Sequence, residues 1–190
     1  MIGTSAAWAD LHPEVLAALI RSLDAAARWA DEPRNCRELA ELLARPPYLD
    51  TPAASIARAL TGRLVFAQGD DPRPVEDFLV FHRKAANFPW ISHALWLYAQ
   101  MLRWRQVEPS AQAEGVVRSV FRPDLYRCAL AGRRTPIPTC DVKVEGVRPT
   151  ETTIAGTNGP VSVGPDLFFD GRAFDPDHIG DYLAGLSPSF

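Results

Sequence analysis

The sequence predicts a mostly α-helical domain with a few short strands. Apolar residues recur at intervals of three and four through most of the range 1–132, the spacing of one helix face. The chain has no series of near-continuous Val, Ile and Leu runs of the kind that a doubly wound parallel sheet needs. Its 17 prolines and 12 glycines interrupt the periodic stretches often, so the helices should be short.

Start and stop signals delimit these helices. Pro13 suits the first position of a helix, where its missing amide would have no partner, and Gly62 is typical of the residue that follows a helix. A short strand is predicted at 64–66. In chain order, the helices are predicted over the ranges 13–31, 35–45, 51–61, 75–85, 92–105, 111–121 and 123–131.

Helical periodicity is lost after position 132. Pro, Gly and Thr accumulate between 133 and 165, which predicts a segment that wraps another surface or is disordered. A tight turn is predicted at Asp170-Gly171, and Asp175 can cap a last helix. These signals divide the chain into a helical part, 1–132, and an extended part with a turn and a final helix, 133–190.

The stretch FPWISH, residues 88–93, is the most distinctive candidate site. Pro89 fixes its own backbone and pushes Phe88 toward extended geometry, so a rigid corner precedes the next helix. The helix N-terminus carries a partial positive charge, and Ser92 and His93 can donate hydrogen bonds there to a small anion. The alternative is that Ser92 only caps the helix and His93 is a packed imidazole.

The helix after the corner is predicted to be buried on most sides. Two neighbouring apolar stripes cover most of its circumference. One stripe consists of Ala94, Leu97, Met101 and Trp104, and the other of Leu95, Tyr98 and Leu102. Trp104, between Arg103 and Arg105, is expected to be buried while both arginines reach solvent.

Charge and composition limit the classes of partner. The formal net charge is −3, so no global field attracts nucleic acid or anionic lipid. The chain has no uninterrupted apolar run long enough for a membrane-spanning helix, which predicts no membrane insertion. The N-terminal stretch 1–25 lacks the continuous apolar segment of a signal peptide, so the chain alone is interpreted as cytoplasmic or as a fragment.

The sequence predicts neither an enzyme nor a metal or cofactor site. It contains no G-x-S-x-G, H-E-x-x-H or phosphate-binding-loop motif. Its three cysteines form no C-x-x-C pair, which is typical of reduced thiols. The acidic cluster near the C-terminus, Asp175, Asp177, His178 and Asp181, is interpreted as helix capping.

Several segments, taken in order, resemble the C-terminal half of the nitrate/bicarbonate family of ABC-transporter solute-binding proteins. They cover nearly the whole chain: TSAAWADLHPEVLAALIRSLDAAARW, ELLARPPYLDTPAASIARALTG, FHRKAANFPWISHALWLYAQMLRW, FRPDLYRCAL, DVKVEG and FFDGRAFDP. The resemblance implies an α/β fold of the two-lobed type II periplasmic-binding-protein kind, of which this chain supplies the mostly helical part. It also implies that the chain begins partway through the family's sequence and lacks the N-terminal lobe.

The family resemblance also implies a ligand and partners. The ligand is a small oxyanion such as nitrate, nitrite or bicarbonate, and the corner faces the ligand cleft with Trp90, Ser92 and His93 as ligand-binding residues. Ile91 stands where the family usually carries a charged side chain. The partners are the transporter's membrane subunits. Alternatively, the chain resembles cytosolic nitrate-responsive relatives that hold a transcription-antitermination protein.

Overall fold

The computed structural model describes residues 3–186, in which helices are accompanied by two small antiparallel sheets. The helices are α1 Ala6–Leu11, α2 Pro13–Asp31, α3 Cys36–Leu43, α4 Ala53–Leu60, α5 Ile91–Arg103, α6 Ala111–Val120, α7 Pro123–Ala129 and α8 Ile179–Ala184. Single 3-10 turns lie at Pro33–Asn35 and Arg83–Ala85. The strands are β1 Arg63–Leu64, β2 Arg73–Pro74, β3 Thr152–Ile154 and β4 Val161–Val163.

The chain divides into two compact units. One comprises the residues up to 20 together with those from 88 onward, and the other comprises residues 21–87. The division predicted from sequence, 1–132 and 133–190, stays a prediction, and residues 1–2 and 187–190 of those ranges lie outside the described part. No helix among the described residues is both long and apolar enough to cross a membrane.

The mostly helical character predicted from periodicity is confirmed. The predicted helix at 13–31 has the bounds of α2, and five further predicted helices lie within a few residues of α3 to α7. Gly62 adopts a φ of 64°, and a Cβ there would lie 2.3 Å from the carbonyl oxygen of Val75. Glycine is therefore required after α4, where the chain turns into β1.

The helix predicted at 75–85 is wrong. Only the 3-10 turn Arg83–Ala85 forms there, and Lys84 and Ala85 have left-handed φ values of 58° and 55°. The backbone N–H groups of residues 81–83 donate to the carboxylate of Asp31. Those amides are therefore not available for helical bonds to carbonyls four residues earlier, and the apolar spacing alone cannot form a helix.

The segment 133–165 is folded in the described structure. It contains the β3–β4 hairpin, in which Thr152 pairs with Val163 and Ile154 with Val161. Further along, the N–H of Gly171 donates to the carbonyl of Phe168 at 3.0 Å, which confirms a tight turn at this place. The hairpin gives the backbone N–H and carbonyl groups of this segment hydrogen-bond partners, which an isolated loop would lack.

The core of the first unit lies around α5. Leu95, Tyr98 and Ala99 face Phe174 and Tyr182, and the rings of Phe174 and Tyr182 meet edge to face with centroids 5.2 Å apart. Helices α6 and α8 both pack against α5. This burial fixes α5 and, with it, the corner from which the helix begins.

Asp31 organises the second unit. Its carboxylate accepts from the backbone N–H groups of Phe81, His82 and Arg83 at 2.9, 2.7 and 2.6 Å. Burial alone raises the pKa of Asp31, but these hydrogen bonds outweigh it and hold the pKa below its ordinary value. The carboxylate at the end of α2 therefore stays charged and fixes the loop before Lys84.

Replacing Asp31 with alanine is expected to lower the free energy of unfolding by about 2 kcal/mol, because three amides lose a charged acceptor. Urea unfolding monitored by circular dichroism measures the change. The control is Asp71→Ala, an exposed carboxylate of the same unit, with an expected loss below about 0.5 kcal/mol. Equal stability of the two variants would contradict this role of Asp31.

Candidate functional site

The corner before α5 is built from packed aromatic rings. The rings of Phe88 and Trp90 meet at 71° with centroids 4.7 Å apart, and both side chains are buried. Trp90 is in extended geometry, and its N–H donates to the carbonyl of Phe88 at 2.9 Å. Pro89 between them cannot donate to a helix, so α5 begins only at Ile91, immediately before the predicted start at Ser92.

Arg127 of α7 anchors the segment 138–141 beside this corner. Its guanidinium lies 5.1 Å from the centroid of the Phe88 ring, donates to the carbonyls of Pro138 and Cys140, and contacts Asp141 at 2.6 Å. The carbonyl of Asp141 in turn accepts from the N–H of Ile91 at 2.9 Å. The first amide of α5 is therefore already bound by the chain itself.

Ser92 is fully buried, and its hydroxyl is in use. The hydroxyl donates to Oε1 of Glu145 at 2.6 Å, and the backbone N–H of Lys143 approaches its oxygen at 3.4 Å. The side chain thus connects α5 to the segment DVKVEG. The alternative that Ser92 caps the helix is wrong, because the capping position before α5 is Trp90 and Ser92 lies within the first turn. The hydroxyl of Ser92 binds a carboxylate of the same chain, and its contact with an anion stays a prediction.

His93 has a different environment. Its Nε2 lies 3.4 Å from Oε1 of Glu145, while 46% of its side-chain surface is exposed. Of the three residues predicted to bind ligand, His93 is the one that solvent can reach, since Trp90 and Ser92 are buried. The structure therefore brings Trp90, Ser92 and His93 together at one corner, and their contact with a ligand stays a prediction.

Glu145 is the centre of a charged cluster at this corner. Besides Ser92 and His93, it pairs with the ammonium of Lys143, which also lies 3.2 Å from Asp166. Arg148 completes the cluster with a contact of 2.8 Å to Asp166. The charges of the two carboxylates and the two cations cancel in this cluster.

The backbone holds Glu145 in place. Its N–H and carbonyl exchange two hydrogen bonds of 2.9 Å with Phe174. The following residue, Gly146, has a φ of 77°, and a Cβ there would lie 2.6 Å from the carbonyl oxygen of Arg172. The position after Glu145 therefore requires glycine, and the bridge to Phe174 ties the cluster to the core.

The cluster keeps its carboxylates ionised. Burial by itself raises the pKa of Glu145, but the contacts from His93, Lys143 and Ser92 outweigh it and lower the pKa below its ordinary value. For Asp166, burial is likewise outweighed by hydrogen bonds from Arg148 and the charge of Lys143, so its pKa is also lowered. A negative charge therefore persists at the N-terminal turn of α5, where the helix dipole favours it.

Sequence reasoning did not identify Glu145 and Lys143 as parts of the site. A signal was present in DVKVEG, because Lys143 and Glu145 are two positions apart and lie on one side of an extended segment. Nothing in the sequence indicated that this side would meet Ser92, which lies 53 positions away.

The acidic residues near α8 form a separate, exposed arrangement. Nδ1 of His178 lies 3.0 Å from Asp175, whose other oxygen accepts from the N–H of Asp177. Asp175 therefore stabilises the turn before α8, and the prediction that it caps the helix directly is wrong, because α8 begins after His178. Within residues 3–186, no cluster of histidine, cysteine and acidic side chains could hold a metal ion.

Comparison with known proteins identifies relatives over nearly the whole chain. No protein-family model matches it. The chain is 30% identical over 181 residues to the nitrate/nitrite binding protein of Synechococcus elongatus, covering 94% of this chain and 36% of that protein. It is 29% identical over 187 residues to the bicarbonate-binding protein of the same organism, with 94% and 38% covered.

A solved structure of a relative identifies the fold. The periplasmic nitrate-binding protein of Synechocystis matches 97% of this chain and 44% of its own chain, with a TM-score of 0.78 and 24% identity. The chain thus adopts part of a periplasmic-binding-protein fold and spans less than half the length of the relatives described here. It is related to the nitrate- and bicarbonate-binding proteins of ABC transporters, whose C-terminal part it matches.

Proposed function

We propose that the chain is part of the substrate-binding component of an ABC transporter for nitrate or a similar small oxyanion. Its relatives are named for binding nitrate, nitrite or bicarbonate, which supports a binding role without catalysis. The main support for the proposal is the position of His93. Its exposed imidazole lies at the N-terminal turn of α5, next to a largely buried cluster whose charges cancel.

The chemistry of this corner determines how an anion would bind. Nitrate only accepts hydrogen bonds, so it needs an N–H or O–H that faces solvent. Nε2 of His93 lies beside Glu145, so the ring nitrogen left to face an external anion is Nδ1.

We infer that this corner forms one wall of the site. The chain covers 36% of the nitrate/nitrite binding protein and 38% of the bicarbonate-binding protein, so the remaining donors would come from a part of the fold that corresponds to the relatives' N-terminal lobe. Nitrate, nitrite and bicarbonate are the candidate ligands, and the transporter's membrane subunits are the candidate partners. The alternative of a nitrate-responsive module that holds an antitermination protein stays a prediction.

Isothermal titration calorimetry with nitrate, nitrite and bicarbonate tests the proposal. With one wall only, we expect saturable binding with a Kd of about 1 mM for at least one anion, which corresponds to about −4 kcal/mol. His93→Ala should weaken that binding about tenfold or more, since it removes the exposed donor.

The matched control is His178→Ala. This substitution removes an exposed histidine that pairs with Asp175 and is remote from His93 in the sequence. It should leave the affinity unchanged. The absence of heat with all three anions would refute the proposed function. Equal affinities of the wild type and His93→Ala would refute the site.

A further inference from the structure

Three side-chain donors at the corner before α5 converge on one carboxylate, that of Glu145. The hydroxyl of Ser92 donates to Oε1 at 2.6 Å, and Nε2 of His93 lies 3.4 Å from the same oxygen. The ammonium of Lys143 donates to the other oxygen, Oε2. An ionised carboxylate can only accept hydrogen bonds, so the hydrogen at each contact belongs to Ser92, His93 or Lys143. We call these three side chains the corner donors.

The corner donors suit a small planar oxyanion. A carboxylate, nitrate and bicarbonate each present two oxygens in the plane of one trigonal atom, and the corner donors divide between two such oxygens. Ser92 is fully buried and the side chain of Lys143 is 10% exposed, so water competes weakly for these two donors. Their hydrogen bonds are therefore stronger than those of donors in open solvent.

The charge balance of the cluster requires an anion at this position. Lys143 and Arg148 are its cations, and Glu145 and Asp166 are its carboxylates. Asp166 is already held by the N–H and the guanidinium of Arg148, both at 2.8 Å. Without the charge of Glu145, a largely buried positive charge would stay uncompensated, which is strongly unfavourable. One external monoanion would restore the balance.

We propose that the corner donors form an oxyanion-binding set and that the Glu145 carboxylate is its resident anion, which excludes external oxyanions from them. The inference rests on the proposed function, because it names the residue that limits anion affinity at the same corner. In the wild type, an external anion meets only the outer ring nitrogen of His93. Without the resident anion, it would gain Nε2 of His93, the Ser92 hydroxyl and the Lys143 ammonium.

Isothermal titration calorimetry of Glu145→Ala with nitrate and with acetate tests the proposal. The substitution removes a CH2–COO− group, and acetate is the free anion closest to that group in size and shape. Both anions should bind the variant at least about tenfold more tightly than the wild type, because they gain donors that Glu145 occupies in the wild type. Adding Lys143→Met to Glu145→Ala should abolish most of this gain, since it removes the charged donor.

The matched control is Asp175→Ala. It removes another carboxylate that pairs with a histidine, since Oδ2 of Asp175 lies 3.0 Å from Nδ1 of His178, but both of these side chains are exposed. Water already reaches the donors there, so the loss of the carboxylate creates no protected anion site. Asp175→Ala should leave the affinities for nitrate and acetate unchanged.

The folding of Glu145→Ala is followed by circular dichroism in acetate and in chloride at the same ionic strength. An anion that binds only the folded chain stabilises it. The melting temperature should therefore be higher in acetate than in chloride, and the difference should be larger for the variant than for the wild type. If the variant is unfolded in chloride, acetate should restore its helical signal, and failure to do so would overturn the proposal.

Three further results would overturn the proposal: affinities of Glu145→Ala no tighter than those of the wild type, an equal gain in Asp175→Ala, or a gain that survives Lys143→Met. The proposed function fails separately. Nitrate binding by the wild type that requires His93, with no gain in Glu145→Ala, rejects only the resident anion. Anion binding by Glu145→Ala that requires Lys143, with none by the wild type, supports the resident anion and rejects the proposed function.

Discussion

Replacing Glu145 with alanine is expected to lower the free energy of unfolding by about 3 kcal/mol, since removing one partner of a buried ion pair leaves the other charge uncompensated. The side chains of Glu145 and Lys143 are 6% and 10% exposed, so water replaces little of the lost contact. The buried Ser92 hydroxyl also loses its acceptor. Because Lys143 keeps its contact with Asp166, the loss should lie at the low end of the range for such pairs.

Urea unfolding measures this effect in Glu145→Ala, in Lys143→Met, Glu145→Leu and their double variant, and in Glu41→Ala. Lys143→Met combined with Glu145→Leu should cost less than the sum of the single substitutions, with a coupling of about 1–3 kcal/mol. Glu41→Ala, which breaks an exposed pair with Arg37, should cost below about 0.5 kcal/mol. A loss for Glu145→Ala as small as that of Glu41→Ala would contradict the buried cluster.

The lowered pKa of Glu145 has a consequence for acid stability. A carboxyl whose pKa is lower in the folded state stabilises the protein above its unfolded pKa, near 4.5, and that contribution disappears as the pH falls through the folded pKa. The free energy of unfolding of the wild type should therefore fall between about pH 5 and pH 3, and the fall should be less steep for Glu145→Ala. If the free energy of unfolding fell equally steeply with pH in the wild type and in Glu145→Ala, the lowered pKa of Glu145 would be contradicted.

Replacing Trp90 with alanine is expected to have the largest effect, a loss of about 4 kcal/mol in the free energy of unfolding. Trp90 is almost completely buried, packs edge to face on Phe88, and lies 5.6 Å below the ammonium of Lys143. Alanine would leave a cavity beside the Phe88 ring and remove the indole ring that the ammonium of Lys143 contacts. Chemical unfolding monitored by far-ultraviolet circular dichroism measures the loss.

Trp104→Ala is the matched control, because Trp104 is the same residue type on an exposed surface. Its loss should stay below about 1 kcal/mol. Trp90→Phe should be intermediate, since it keeps a ring against Phe88. If Trp90→Ala instead kept full stability and lost only nitrate affinity, Trp90 would be a ligand contact and not a support of the corner.

Periodicity predicted most of the helices, and the misses have physical causes. The helix at 13–31 follows from its own apolar spacing and Pro13, so local sequence suffices. At 75–85 the same spacing failed, because Asp31 from a distant part of the chain binds the amides of residues 81–83. No pattern within that stretch carries this information.

Burial was less predictable than helicity. The two stripes of α5 were both apolar in the sequence, which predicted burial of both, yet Trp104 is exposed and the prediction for it is wrong. The sequence identifies an apolar face but not whether the described chain supplies a cover for it. The apolar spacing alone therefore did not predict which side of α5 is exposed.

The sequence predicted the corner of the candidate site but not the carboxylate that binds there. The corner FPWISH was evident from its proline and flanking rings, and the structure does assemble a helix N-terminus with Ser92 and His93 there. Glu145 was not predictable, because its position depends on the pairing of its backbone with Phe174, in a distant part of the chain. That pairing brings an internal carboxylate to the place where the sequence predicted an external anion.

Nuclear magnetic resonance of the chain with labelled histidine rings, titrated with nitrate, tests the central claim most directly. The chain has four histidines, His12, His82, His93 and His178, and His93→Gln assigns the resonance of interest. We expect the His93 ring signals to shift saturably with nitrate and not with chloride at the same ionic strength, while those of His82 and His178 stay in place. Unmoved His93 signals, or equal shifts at all four rings, would contradict an anion site at the N-terminus of α5.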